Sequence, residues 1–215
     1  MNSMLLKIFV WLLLTAVGSF AGQRIMDFYL RRNEALLREY DLQIGRVCHI
    51  ATLAAGVAVA LALGYLVPAT LVGKALSCFF LYWLWLLWLV DWRYQFIFDD
   101  SLLPLLAGGI AIALYAPGAL WLRLVAAGGT FVVLAALSIL GRGALGGGDV
   151  KMMAVVGLWL GKEVILALTT GFILGGVAAV VLLLLRRAGR KDFFAFGPFL
   201  IIGTLLGWLV QAVAW

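Results

Sequence analysis

The chain carries ten acidic residues and a single histidine, so any chemistry it performs has few side chains to draw on. Asp27, Glu34, Glu39 and Asp41 lie in one polar stretch, Gln23 to Arg46, and read as a solvated charged surface. Glu163 and Asp192 stand beside Lys162 and Lys191 and read as interfacial charges at helix ends. Asp99 and Asp100 precede "SLLPLL", where an acid caps a helix N-terminus and meets the positive end of its dipole. Asp91 and Asp149 fit none of these settings. Asp91 directly ends the apolar run "FFLYWLWLLWLV", and Asp149 joins a glycine run to "VKMMAVVGLWLG". Acidic side chains at membrane depth are costly and usually functional.

Two opposed carboxylates can hydrolyse a peptide bond. Like charges a few ångströms apart do not both ionise easily, so they share a proton and titrate as a unit. One acts as general base toward water, and the other donates a proton to the scissile carbonyl. The remaining residues offer no substitute: His49 stands alone, which excludes a serine–histidine or cysteine–histidine arrangement. Cys48 and Cys78 belong to no CxxC pair, so neither zinc nor redox chemistry is expected of them. The same two acids also suit an ion or proton relay in a transporter or channel. That alternative fits less well, because both acids map to one membrane face and not to a midplane pathway. A non-catalytic assembly partner is a third reading.

The glycines before Asp149 have two possible uses. Gly146, Gly147 and Gly148 have access to backbone conformations closed to other residues, and they let another backbone approach without a Cβ in the way. The blander reading of "GGGD" is a flexible loop with an N-cap.

The elements that must position these residues follow from composition. Of 215 residues 66% are hydrophobic and 12% charged, with a mean hydropathy of +1.13. A soluble domain is about half apolar and about a quarter charged. The expected fold is therefore an all-α, polytopic membrane helix bundle forming a single domain over residues 1–215. Measured against the roughly 20 residues a span needs, about eight segments emerge. They lie near Leu5–Ala21, Val47–Val67, Ala75–Val90, Leu102–Tyr115, Leu120–Leu140, Val150–Leu160, Val164–Leu185 and Phe196–Ala214. The Gln23–Arg46 connector mixes charges with Ile25, Phe28, Leu30 and Leu37. It suits an amphipathic surface helix as well as a plain solvated loop.

Net charge is +6. Its distribution argues against nucleic acid, because the basic residues cluster in connectors between spans, as the positive-inside rule requires. Alternate connectors share a side. The basic side takes Gln23–Arg46, the "DWRYQFIFDDS" connector, the "GGGD" loop and Arg186–Lys191, and is expected to be cytoplasmic. The other side takes Lys7, Lys74, Arg123 and Lys162.

Two stretches together resemble the bacterial type IV prepilin peptidases, membrane aspartic proteases with a GxGD motif. "LGGGDVKMMAVVGLWLG" is similar to that family's "GxGDxKLLAxxGxWxG", with Gly146, Gly148, Asp149, Lys151, Ala154, Gly157, Trp159 and Gly161 in register. "VDWRYQFIFDDSLLPLL" is similar to its "IDxxxxLLPDxLTLPLL", with Asp91, Asp99 and Pro104 in register. "GSF" at Gly18–Phe20 and "FAFGPFLIIG" at Phe194–Gly203 add smaller matches. The resemblance implies catalytic roles for Asp91 and Asp149, with Gly146, Gly148 and Lys151 as supporting motif positions. It gives Asp99 a family position without a catalytic role. It implies a bacterial inner-membrane enzyme, with its active site facing the cytoplasm, that removes leaders from prepilins or type II secretion pseudopilins. Many members then methylate the new N-terminus with S-adenosylmethionine. Phe98 departs from the family's proline, and the paired CxxC zinc motif of longer members is missing from the first connector. Zinc is therefore not expected, proteolysis needs no cofactor, and methylation has no residue signature here. The implied partners are a prepilin or pseudopilin and the lipid bilayer, with no nucleic acid. Oligomeric state is left open.

Overall fold

The computed structural model describes residues 17, 20–22, 24–25, 27–33, 56–58, 70–115, 120–141, 145–185 and 196–213. Among them no strand occurs, and six helices are bounded: α1 Leu71–Tyr94, α2 Asp99–Tyr115, α3 Leu120–Leu140, α4 Gly147–Leu160, α5 Val164–Leu184 and α6 Gly197–Val213. These correspond to the last six expected spans, and the fold is an all-α membrane bundle. The first two expected spans lie almost wholly outside the described residues. In the first connector, residues 27–32 are helical, with Leu30 buried and Phe28, Arg31 and Arg32 exposed.

By internal contacts the chain divides into two units, Met1–Tyr94 and Gln95–Trp215. In the first, α1 is longer at both ends than hydropathy predicts, for local reasons. Thr70 caps its start, its hydroxyl accepting from the Gly73 N–H at 3.3 Å and its carbonyl from the Lys74 N–H at 2.9 Å. Its far end runs on to Tyr94 and stops where Gln95 turns left-handed, with φ 53°. The last turn therefore takes Asp91 into the helix. Phe80, Leu84, Leu87, Asp91 and Tyr94 recur at helical spacing, and all are buried. Trp85, Trp88 and Trp92 follow one another along a different stripe, their rings tilted, with centroids 5.2 and 5.7 Å apart.

In the second unit the short helix α4 is central and packs against α2, α3, α5 and α6. Met152, Met153 and Val156 are fully buried. The longer helices around it carry their apolar residues outward: on α3 only Arg123, Thr130 and Leu134 are buried, whereas Leu122, Phe131, Val132 and Ile139 are exposed. Apolar surface of that extent suits a lipid solvent and not water. Three helical stretches, Leu71–Tyr94, Leu120–Leu140 and Gly147–Leu184, are long and apolar enough to cross a bilayer, so the chain is an integral membrane protein. The paired helices α5 and α6 approach through glycines spaced four apart. A Cβ on Gly203 would fall against the Ala167 carbonyl and one on Gly207 against the Glu163 carbonyl, the close contact that small residues permit in lipid.

Candidate active site

Helix α4 begins inside the glycine run. Gly146 is its N-cap, extended at φ −62° and ψ 139°, and its carbonyl accepts the first helical hydrogen bond, from the Val150 N–H at 3.2 Å. Asp149 is the third helical residue and is only 9% exposed. An acid here suits the positive end of α4, where backbone N–H groups lack partners.

The three glycines differ in what surrounds them. A Cβ on Gly146 would lie 3.2 Å from Asp149 Oδ2, so the carboxylate folds back over the loop and occupies that space. A Cβ on Gly148 would lie 3.0 Å from Ile97 Cβ and 3.2 Å from the Ile97 carbonyl oxygen. A Cβ on Gly147 would meet nothing within 4 Å. Crowding is thus firm at the third glycine, conditional on the place of the Asp149 carboxylate at the first, and missing at the middle one. The conformational use expected of these glycines is not the operative one. Among the described glycines only Gly161, at the C-terminal end of α4, has a positive φ, of 60°.

The contact with Ile97 joins the two motif stretches. A second link lies beside it: Lys151 Nζ donates to Asp99 Oδ2 at 2.6 Å, with the two side chains 51% and 66% exposed. The sequence gives both residues a place in a motif but does not pair them. Asp99 and Asp100 occupy the first turn of α2, at the positive end of its dipole. Phe98, at the position of the family's proline, builds the turn differently. Its side chain is buried, and its carbonyl accepts from the Ser101 N–H at 3.0 Å and from the Ser101 hydroxyl at 2.6 Å. The turn into α2 therefore forms without the proline.

Asp91 belongs to the first unit and Asp149 to the second. Asp91 is 4% exposed, and its Oδ2 finds no hydrogen-bond partner among the described residues. A buried polar atom left unpaired is rare enough to call for an explanation, and a reactive carboxylate that must engage water or substrate is one.

Arg123 is the residue that reading the sequence misses. Counted there as a marker of topology, it lies instead inside α3, is 3% exposed, and donates to backbone carbonyls at the end of α4. The available signal was an arginine within an otherwise apolar span.

A profile of the type IV leader peptidase family matches residues 78–186. The prepilin leader peptidase/N-methyltransferase of Aeromonas salmonicida (strain A449) is 32% identical over 126 residues, which cover 54% of this chain and 41% of that protein. Its namesake in Bacillus subtilis (strain 168) is 31% identical over 109 residues, 50% of this chain and 43% of the other. That of Stutzerimonas stutzeri is 31% identical over 134 residues, 59% and 45%. The chain thus spans less than half the length of these curated relatives. No solved structure matches it significantly. The profile covers half of the chain and takes in Asp91, the turn into α2 and the whole "GGGD" loop; the chain belongs to the type IV leader peptidase family.

Proposed function

We propose that the chain is a membrane aspartic endopeptidase that removes the leader from type IV prepilins or type II secretion pseudopilins. Asp91 and Asp149 are its catalytic pair, working at the cytoplasmic face of a bacterial inner membrane. The observation that carries this reading is the buried Oδ2 of Asp91, which has no hydrogen-bond partner among the described residues. It is supported within the second unit, where Ile97 of one motif stretch packs on Gly148 of the other, beside Asp149.

In this reading the pair holds one proton. The ionised carboxylate takes a proton from water as the water oxygen attacks the scissile carbonyl carbon, and the protonated partner passes its proton to the carbonyl oxygen. The tetrahedral adduct then collapses: the C–N bond breaks as the pair's proton passes to the leaving nitrogen, and a hydroxyl of the adduct gives its proton back to the pair as the new carbonyl forms. Glycines at 146 and 148 leave room for the carboxylate and for the Ile97 backbone.

N-methylation is named for the relatives and is a separate proposition. The apolar groove between α3 and α5, of about 690 Å³ and lined by residues such as Leu122, Val133, Ile165 and Phe172, does not fit S-adenosylmethionine. The adenine, ribose, sulfonium and amino-acid parts of that molecule all need polar partners, which this groove does not offer.

The test is to express the chain with a prepilin and read the N-terminus of the product by mass spectrometry. The expected product lacks its leader, and its mass reports whether a methyl group was added. Unimpaired cleavage by both Asp91→Asn and Asp149→Asn removes the pair from the mechanism.

A further inference from the structure

The C-terminal end of α4 is gripped by side chains from other helices. Arg123 of α3 donates through Nη1 to the Leu158 carbonyl at 2.8 Å and to the Trp159 carbonyl. Gln211 of α6 lies 3.4 Å from the Trp159 and Leu160 carbonyls through Nε2. The Trp159 indole donates in turn to the Leu105 carbonyl of α2 at 2.8 Å. These carbonyls are among the ones a helix leaves without partners, and lipid supplies no water to satisfy them. Arginine suits the task because its planar fork presents several donors at once. Its Nε has no partner among the described residues, and its Nη1 serves this helix end twice.

The rest of α4 is held mainly by packing. Its sides pack through Met152, Met153 and Val156 and cross α3 closely at Gly157, contacts that lack the directionality of the hydrogen bonds at its end. Its start meets Ile97 through Gly148 and carries an exposed ion pair, Lys151 with Asp99. A helix of 14 residues is a rod of about 20 Å, so where its far end is pinned, its first turn is placed.

We propose that Arg123 is a positioning residue: it fixes the axial position of α4 and thereby the carboxylate of Asp149. The assignment rests on the reading of Asp149 as catalytic, and the experiment keeps the two apart. Wild type, Arg123→Met, Arg123→Lys and Asp149→Asn are compared in the full chain for prepilin cleavage. A parallel set, with Cys48→Ala and Cys78→Ala, carries Asp99→Cys and Lys151→Cys and is treated with a short thiol crosslinker, which reports the place of the first turn of α4 without reference to activity. A misplacement of about 1 Å costs on the order of 10²-fold in rate. Arg123→Met should therefore lower kcat by about 10- to 100-fold with KM within about threefold. Its crosslinking yield should fall at least twofold, and Arg123→Lys, which keeps charge and donors, should recover part of both losses.

Wild-type kcat or wild-type crosslinking in Arg123→Met overturns the proposal. If Arg123→Met does not accumulate, Arg123→Lys decides alone: a partial loss of kcat and yield supports positioning, and no loss overturns it. Normal cleavage by Asp149→Asn refutes the catalytic reading, while the crosslinking still decides whether Arg123 sets α4.

Discussion

Substituting alanine singly at Gly146, Gly147 and Gly148 separates two explanations of the glycine run. If the loop needs flexibility, each alanine harms activity to a similar degree. If it needs space, the three differ. At Gly148 the new Cβ would stand 3.0 Å from Ile97 Cβ and 3.2 Å from the Ile97 carbonyl oxygen, where comfortable carbon contacts lie at about 3.5–4.0 Å. Neither neighbouring atom is the free end of a side chain, so relief requires the start of α4 or the Ile97 backbone to move by about 0.5 Å. With a 1 Å misplacement costing on the order of 10²-fold, half of that predicts about a tenfold loss of kcat. At Gly147 the Cβ meets nothing within 4 Å; activity should stay within about twofold, and helix propensity adds up to about 1 kcal/mol of stability. At Gly146 the obstacle is Asp149 Oδ2 at 3.2 Å, the end of a rotatable side chain. The carboxylate turns away, and activity falls with little change in stability. The assay is prepilin cleavage by equal amounts of each variant, with thermal melting of the detergent-solubilised protein alongside. Equal losses at all three positions, or a larger loss at Gly147 than at Gly148, would refute the space argument.

Asp91→Asn and Asp149→Asn should each lower cleavage by at least about 10²–10⁴-fold, the worth of a positioned acid–base group, while Asp100→Asn stays mild because asparagine also caps helices. Near-normal activity in Asp91→Asn with loss in Asp99→Asn would move the first role to Asp99. Lys151→Met should shift stability by less than about 1 kcal/mol, since its ion pair with Asp99 is half exposed; a larger drop in melting temperature than that allows would show a stronger role. Gln95→Gly should raise stability by about 0.5–1 kcal/mol by removing a left-handed conformation from a residue with a Cβ, and a lower melting temperature would count against that account of how α1 ends.

Hydropathy placed the last six spans within a few residues of the observed helices, because an apolar run bounded by proline, glycine or charge leaves little choice in lipid. What it missed was local chemistry at the ends. The Thr70 cap and the left-handed Gln95 each add a turn to α1, and the second of these turns takes Asp91 from the end of the helix onto its buried stripe. The crowding at Gly148 was legible as a type of contact but not as a partner, since Ile97 lies about fifty residues away along the chain. Arg123 was legible only as a charge. An arginine in the first turn of an apolar helix normally reaches for the interface, and its partners here are the carbonyls of residues 35 and 36 positions on, which any residue type supplies. One trace did stand in the sequence. Gly157, a motif position, lies where a Cβ would come within 2.8 Å of the Ala127 Cα, so α3 and α4 meet there backbone to backbone. Ala127 is about one helical turn beyond Arg123, and Gly157 directly precedes Leu158. The close crossing is what brings the guanidinium to the end of α4, and a larger residue at Gly157 would separate the clamp from the helix it holds.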